Sequence, residues 1–278
     1  MIETLKKAYP VSVLCRALEI PRSSYYASKH ARGRIRVDPA QVDQVRRIHA
    51  ASRHCYGSRR MACELSSLGS PVGRHRARTL MRQAGVWSHA KRRHRYRPTG
   101  PVSAIAPNHL ARRFDPPAPN RVWAGDVTYL PTRQGWLYLA IVMDLYARRI
   151  VGAAFSTQAD TALVTRALEQ AWYERRPEPG LLFHSDQGST YTSAAFMARL
   201  EHYQMVQSMS RRGNCWDNAV VERFFRSLKH EWVGDQVYRD PAQAEQDVSQ
   251  YLWSFYNHRR WHAAIGQRPP AVVDVLAA

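Results

Sequence analysis

LLFHSDQGSTYTS, residues 181–193, and RRGNCWDNAVVERFFRSLKHEW, residues 211–232, decide the fold of this 278-residue chain. The first opens on an apolar run, LLFH, with the character of a buried strand, and reaches Asp186 in a Gln-Gly turn. SAAFMARLEHY (193–203) has the pattern of an amphipathic helix, VQSMS (206–210) that of a short edge strand, and a polar loop runs from Arg211 to Asn218. In the second stretch Val221, Phe224, Phe225 and Leu228 recur at i, i+3, i+4 and i+7, the core stripe of a helix. Glu222 lies beside that stripe, and Asp217 or Asn218 is placed to cap the helix.

Between Asp186 and Glu222 lie 35 residues, and 59 lie between Asp186 and a third acid, Asp126, in the strand-like run RVWAGDVTYLP (121–131). Taken singly, Asp186 reads as a turn residue and Glu222 as a solvated helix glutamate. Asp126 resists that treatment, because Asp is depleted in strands. As a trio on three elements they suit a pair of magnesium ions, which take hard oxygen donors, one or two carboxylates each, and leave positions open for phosphate. Upstream, GWLYLAIVMDL (135–145) and RRIVGAAFS (148–156) complete a three-strand meander, and Asp160 can cap a helix over 161–176.

The words DVTYL, HSDQGSTYTS and RRGNCWDNAVVERFFRSLKHEW closely resemble the DDE integrase core of bacterial insertion-sequence transposases. In particular they resemble the group encoded in two overlapping frames, this chain being similar to the second-frame product. The 35-residue gap is that group's hallmark and is shared with retroviral integrases. The resemblance implies an α/β, RNase H-like integrase core, a mixed five-stranded sheet with flanking helices, preceded by helix-turn-helix DNA-binding units. It implies Asp126, Asp186 and Glu222 as catalytic residues and ligands of two Mg²⁺ ions, with Mn²⁺ as a substitute. The implied reactions are hydrolysis exposing a 3′-OH and attack of that 3′-OH on a phosphodiester, with a circular intermediate and no covalent protein adduct. The implied partners are double-stranded DNA (terminal repeats and target), further copies of the chain, and the upstream-frame protein, which supplies an oligomerisation helix; this chain has no sustained heptad repeat of its own. The implied location is the bacterial cytosol, at the nucleoid.

Charge supports a polyanionic partner. Residues 1–113 carry 24 Lys and Arg against 5 Asp and Glu, whereas residues 114–278 carry 17 against 17. The net charge of +19 therefore sits in the front of the chain, the footprint of nucleic-acid binding. No apolar run approaches the ~20 residues of a membrane helix, the N-terminus lacks the apolar core of a signal peptide, and no strongly apolar face accompanies the arginines, so no membrane role is expected. Cys15, Cys55, Cys63 and Cys215 have no disulfide or zinc spacing.

Five segments follow: a helix-turn-helix at 1–36, a second at 37–98, a basic, Pro-rich linker at 99–118, the catalytic core at 119–235 and a helical extension at 236–278. Two short helices are expected around Glu19–Pro21, a helix capped by Ser58, and a helix over 74–84 with Ala77, Leu80, Met81 and Ala84 inward. Arg74, Arg78 and Arg82 line another face of it, and with Lys91, Arg92 and Arg93 of the basic run 89–101 are candidate DNA contacts. Arg211 and Arg212 are further candidates, while Trp216 is expected to anchor their loop. Lys229, nearly two turns after Glu222, is expected to hold DNA backbone, a role the resemblance also suggests; pairing with a neighbour is the alternative. Asp144 and Glu231 read as structural acids, and Asn257 as a tie between tail and core. Two rival functions remain: a catalytically silent DNA-binding regulator, and an RNase H-like nuclease without strand transfer.

Overall fold

The computed structural model describes residues 2–27, 38–88, 105–211 and 214–276. Five strands form one mixed sheet: β1 Val122–Thr132, β2 Gly135–Asp144, β3 Arg149–Ser156, β4 Leu182–Ser185 and β5 Val206–Met209, in the order β3-β2-β1-β4-β5. β1, β2 and β3 are antiparallel neighbours; β4 runs parallel to β1 and β5 parallel to β4. β2, between β3 and β1, is buried on both faces from Leu139 to Asp144, which its continuous apolar run anticipates.

Helices cover both faces. On one, α7 (Thr161–Arg175) and α8 (Ala194–His202) pack Leu163, Val164, Leu168 and Phe196 against Trp123, Val142, Val151 and Phe183. Asp160 caps α7 through the Leu163 N–H (2.9 Å), as expected, and Ser193 caps α8 through that of Phe196 (3.3 Å). Gly152 leaves no room for a Cβ against the Ala167 carbonyl, so α7 lies directly on β3. On the other face, α9 (Ala219–Ser227) and α10 (Pro241–Ser249) pack Val221, Phe224, Phe225 and Val248 onto Leu130, Leu139, Ile141 and Ile150. Each continues into a wider π-helical stretch, Leu228–Val233 and Gln250–Tyr256, so the tail is not the single regular helix its periodicity suggests.

The front of the chain forms α1 (Ile2–Leu5), α2 (Val11–Ala17), α3 (22–27), α4 (Pro39–Ala51), α5 (Ser58–Ser67) and α6 (Arg74–Gln83). The expected turn after α2 is present, with Glu19 at φ +52°. Ser58 is not the cap of α5 but its first residue; Gly57 occupies the cap without a side-chain bond. Nor does Asp217 or Asn218 cap α9 with its side chain: Asn218 holds the position without a bond, and Asp217 is drawn into an ion-pair cluster described below. Met61, Leu65 and Leu80 share a core with Trp232, Tyr251 and Phe255. Arg60 pairs with Glu231 (3.1 Å) and Arg53 with Asp247 (2.8 Å), while the Arg53 guanidinium lies 3.7 Å over the Trp232 ring. The basic helices are thus welded to the C-terminal helices. Among the described residues no helix is long and apolar enough to cross a membrane.

Candidate active site

Asp126 sits in the middle of β1, opposite Ile141 of β2, and its Oδ1 accepts the N–H of Val127 (2.7 Å). Its neighbour Gly125 is required by packing: a Cβ there would stand 2.6 Å from Phe183 Cζ. β4 pairs with β1 only over Val122–Ala124, so the two parallel strands separate just before the acids. Asp186 follows β4 directly and accepts the Gly188 N–H (2.9 Å), closing the expected turn. Crevices at the carboxyl ends of parallel strands are the usual place for ligands in such sheets. Glu222 enters from α9, whose stripe of Val221, Phe224 and Phe225 is buried beneath it.

The three carboxylates share one electrostatic neighbourhood. Burial, then Asp186 and then Glu222, push the Asp126 carboxyl well above the usual range, against the Val127 N–H and Lys229. Removal from water also raises Asp186, against the Gly188 N–H, and raises Glu222, where Arg226 opposes and Asp186 adds to the effect. Tyr191, buried beneath the pair, is raised by burial and then by Asp126 and Asp186. Asp186 is exposed, while Asp126 and Glu222 are half-buried, so the cluster opens to solvent at its rim. Among the described residues no three His, Cys, Asp or Glu side chains are gathered tightly enough to hold one ion by themselves. Mutual repulsion spreads such a group, and a site sharing its carboxylates between ions and water does not need a closed cage.

The other candidates fall in three groups. Lys229 reaches the cluster: it is half-buried, its ammonium lies 4.4 Å over the Tyr129 ring, burial lowers its proton affinity and Asp126 raises it. Arg74, Arg78 and Arg82 are exposed on α6, its expected stripe turned inward, with no acidic partner among the described residues. Arg211 is engaged with Asp217, through Nε (2.9 Å), a terminal nitrogen (3.1 Å) and its backbone N–H (3.1 Å). Lys91, Arg92, Arg93 and Arg212 lie outside the described residues. Trp216 is 69% exposed and anchors nothing, contrary to expectation, because Asp217 does that work.

Asp217 is the residue that sequence reasoning undervalued. Fully buried, it also takes Arg112 Nε (2.8 Å) and Asn108 Nδ2 (2.9 Å), and Arg211 foremost holds its carboxyl far below the usual range. It thereby ties the segment before β1 to the start of the Glu222 helix. A second tie is His184, whose Nδ1 meets Ser208 Oγ at 2.9 Å. That oxygen already accepts the N–H groups of His109 and Leu110, so it donates to Nδ1 and leaves the proton of the neutral ring on Nε2, facing Ser210 Oγ. Burial lowers this histidine to about 4. No local signal marks these ties: Asn108 and Asp217 are 109 residues apart, Leu110 and Ser208 are 98 apart, and His184 meets Ser208 only because β4 and β5 pair. Asp144, Glu231 and Asn257 are structural as expected: Asp144 accepts two backbone N–H groups, Glu231 pairs with Arg60 and Arg260, and Asn257 exchanges two hydrogen bonds with the Ile150 backbone.

Sequence models of the integrase core domain match residues 116–215 and 203–270, and one of an HTH-like domain matches 37–96. The transposase for insertion sequence element IS904 of Lactococcus lactis subsp. lactis (strain IL1403) is 34% identical over 229 residues, 82% of this chain and 90% of that protein. Transposase InsF for insertion sequence IS3A of Escherichia coli (strain K12) is 34% identical over 279 aligned positions, 97% of this chain and 95% of that protein. The chain belongs to the insertion-sequence transposases. As an integrase-core transposase it is a polynucleotidyl transferase. The core fold is also that of a simian T-cell lymphotropic virus intasome, solved in complex with PP2A regulatory subunit B56 gamma. That match has a TM-score of 0.50 and 17% identity, and covers 82% of this chain and 73% of that one.

Proposed function

We propose that this transposase holds two Mg²⁺ ions, or Mn²⁺ in their place, through Asp126, Asp186 and Glu222, and there cuts the 3′ ends of its element and joins them to DNA. The observation that carries the reading is electrostatic convergence: Asp186 raises both Asp126 and Glu222, and Glu222 raises Asp126, although the three come from different elements. Repulsion of this kind is what a divalent cation relieves, and an all-carboxylate donor set fits magnesium. Bound there, the ions would neutralise charge on the phosphate and ease deprotonation of the attacking hydroxyl. Asp126 is held in place by its strand, Asp186 meets the ligand at the open rim, and Glu222 closes the third side from its helix. Lys229 is placed to take a non-reacting phosphate oxygen of the same strand.

Two displacements follow. In the first, the oxygen of water bonds to phosphorus as the P–O3′ bond breaks, leaving a 3′-OH. In the second, that hydroxyl bonds to another phosphorus and a different 3′-oxygen leaves. Bond count is conserved in the second step, so it needs no external energy source. The absence of a dedicated general base among the residues named suits catalysis by positioning and charge neutralisation.

DNA is gripped outside the core by Arg74, Arg78 and Arg82 and by Lys91, Arg92 and Arg93, and within it by Arg211 and Arg212. The segments 1–36, 37–98, 99–118, 119–235 and 236–278 divide these duties. Further copies of the chain and the upstream-frame protein complete a working complex on DNA in the bacterial cytosol. Strand transfer on oligonucleotides carrying the element's ends, in Mg²⁺ or Mn²⁺, tests the reading against Asp126→Asn, Asp186→Asn and Glu222→Gln. Joining by wild type and by none of the variants supports it. Salt-sensitive binding without cutting, with the upstream-frame protein fused, returns the chain to a regulator; cutting without joining makes it a nuclease.

A further inference from the structure

Two large aromatic side chains on the β1–β2 hairpin beyond Asp126 are left uncovered. Tyr129, three residues beyond Asp126 on β1, is 48% exposed, and Trp136, at the start of β2, is 51% exposed, although Leu130 and Leu137 beside them are buried. The rings meet edge to face, with centroids 5.0 Å apart and planes at 82°, an arrangement that aromatic pairs favour. Lys229 Nζ stands 4.4 Å from the centre of the Tyr129 ring. One face of Tyr129 is therefore taken by a cation, its ring braces the indole, and about half of Trp136 stays open to solvent, 51% by exposure. Arg133, in the turn between the strands, is exposed as well.

The hairpin that carries the pair is locked. Thr132 Oγ1 donates to the Gly135 carbonyl (2.9 Å) and accepts the Gln134 N–H (3.1 Å). The Arg133 N–H donates to the carbonyl of fully buried Tyr238 (2.8 Å), and Thr132 forms a parallel bridge to the same residue. The surface is thus presented without an ordering cost at binding.

We propose that Trp136, braced by Tyr129, is a stacking platform for an unpaired nucleobase of the DNA strand that lies in the active site. The inference rests on the reading that Asp126, Asp186 and Glu222 act on DNA. An aromatic face flanked by cations is the chemistry that single-stranded nucleic acid selects, since bases stack and phosphates pair. Lys229 and Arg133 supply the charge, and Lys229 also lies in the field of Asp126, which links the platform to the reacting phosphate. Trp136 pairs with Pro131, five residues beyond Asp126 on β1 and on the other face of that strand, a span of about 17 Å along it, or about five nucleotides at ~3.4 Å each. A fully paired duplex hides its base faces within the stack, so the base that reaches the indole has left its partner. Stacking on Trp136 compensates that base for the neighbours it has lost and keeps the strand end open while the chemistry proceeds.

The test places 2-aminopurine singly at each position within about six nucleotides of the scissile phosphate, in duplexes carrying the element's terminal sequences. Full-length protein is bound in Ca²⁺ to slow turnover, and strand joining is read in parallel in Mg²⁺. One position is expected to be quenched by wild type. Trp136→Ala removes that quench and weakens binding by about 5- to 100-fold, and Trp136→Tyr restores most of both with an unchanged Tm. Position-specific quenching that survives Trp136→Ala in a protein whose wild type joins DNA overturns the platform alone. If wild type neither binds nor joins the ends, the transposition chemistry assigned above fails and the platform falls with it.

Discussion

At the scale of single residues, the two kinds of acid near the site have opposite linkage to pH. Asp126, Asp186 and Glu222 are all raised by removal from water. Below the unfolded values, 3.8 for Asp and 4.5 for Glu, each is neutral in both states and costs nothing. As pH rises through the window between unfolded and folded values, the unfolded chain gives up its protons first, so the fold is progressively destabilised. Asp126→Asn therefore raises Tm of the metal-free protein at pH 7 while lowering joining by about 10²–10³-fold. Mg²⁺ raises the Tm of wild type and not of this variant, a comparison that differential scanning fluorimetry makes directly. Asp217 has the reverse sign: its depressed value gives stability that is present above the unfolded 3.8 and lost as pH falls toward the folded value. Asp217→Asn leaves Arg211 and Arg112 without their carboxylate, and lowers Tm by roughly 5 °C or more at pH 7, with less effect in acid.

At the scale of elements, α6 presents three exposed arginines on a helix whose other side is buried. Each Arg→Ala substitution at 74, 78 or 82 is expected to reduce the slope of log K against log salt by about 1, with Tm unchanged, as fluorescence anisotropy across a salt series measures. Much at this scale is legible in the sequence. The α6 stripe, the α7 cap at Asp160, the turn at Asp186 and the core face of α9 all follow from local periodicity and from side chains bonding within four residues. The caps at Ser58 and Asp217 fail for a physical reason. A hydroxyl or carboxylate caps only if its own backbone stands just outside the first turn and no stronger partner competes. Ser58 is already helical, and Asp217 has two guanidiniums within hydrogen-bond reach.

At the scale of the whole molecule, the catalytic sheet and the basic helices do not meet at a loose hinge. Half-buried Arg60 and Glu231 and buried Arg260 form one network, with Arg260 bonded to Glu231 at 2.7 Å, and Arg53 covers Trp232. The Glu222 helix and its continuation therefore share a core with the tail, and the isolated segment 119–235 strips Tyr251, Phe255 and Tyr256 from Phe224 and Trp232. That fragment is expected to bind a hydrophobic dye and to melt at least about 10 °C below the full chain, whereas a fragment of 38–276 keeps the full chain's Tm. A core that melts independently at the full chain's temperature contradicts this account.

What the sequence determined by itself was whatever is written locally or in chemistry. The strand and helix periods, the charge carried by the first 113 residues and the three acids within their flanking words were enough to reach an integrase core. Tertiary structure alone decided which distant groups share a field. Asp217 found Arg112 and Asn108, and Lys229 found Tyr129, because α9 folds back on β1 and the segment before it, while His184 found Ser208 because β5 pairs with β4. Such contacts depend on the three-dimensional approach of elements whose separation along the chain leaves no periodic trace. They decide how rigidly the carboxylates are held and which aromatic surface stands beside them.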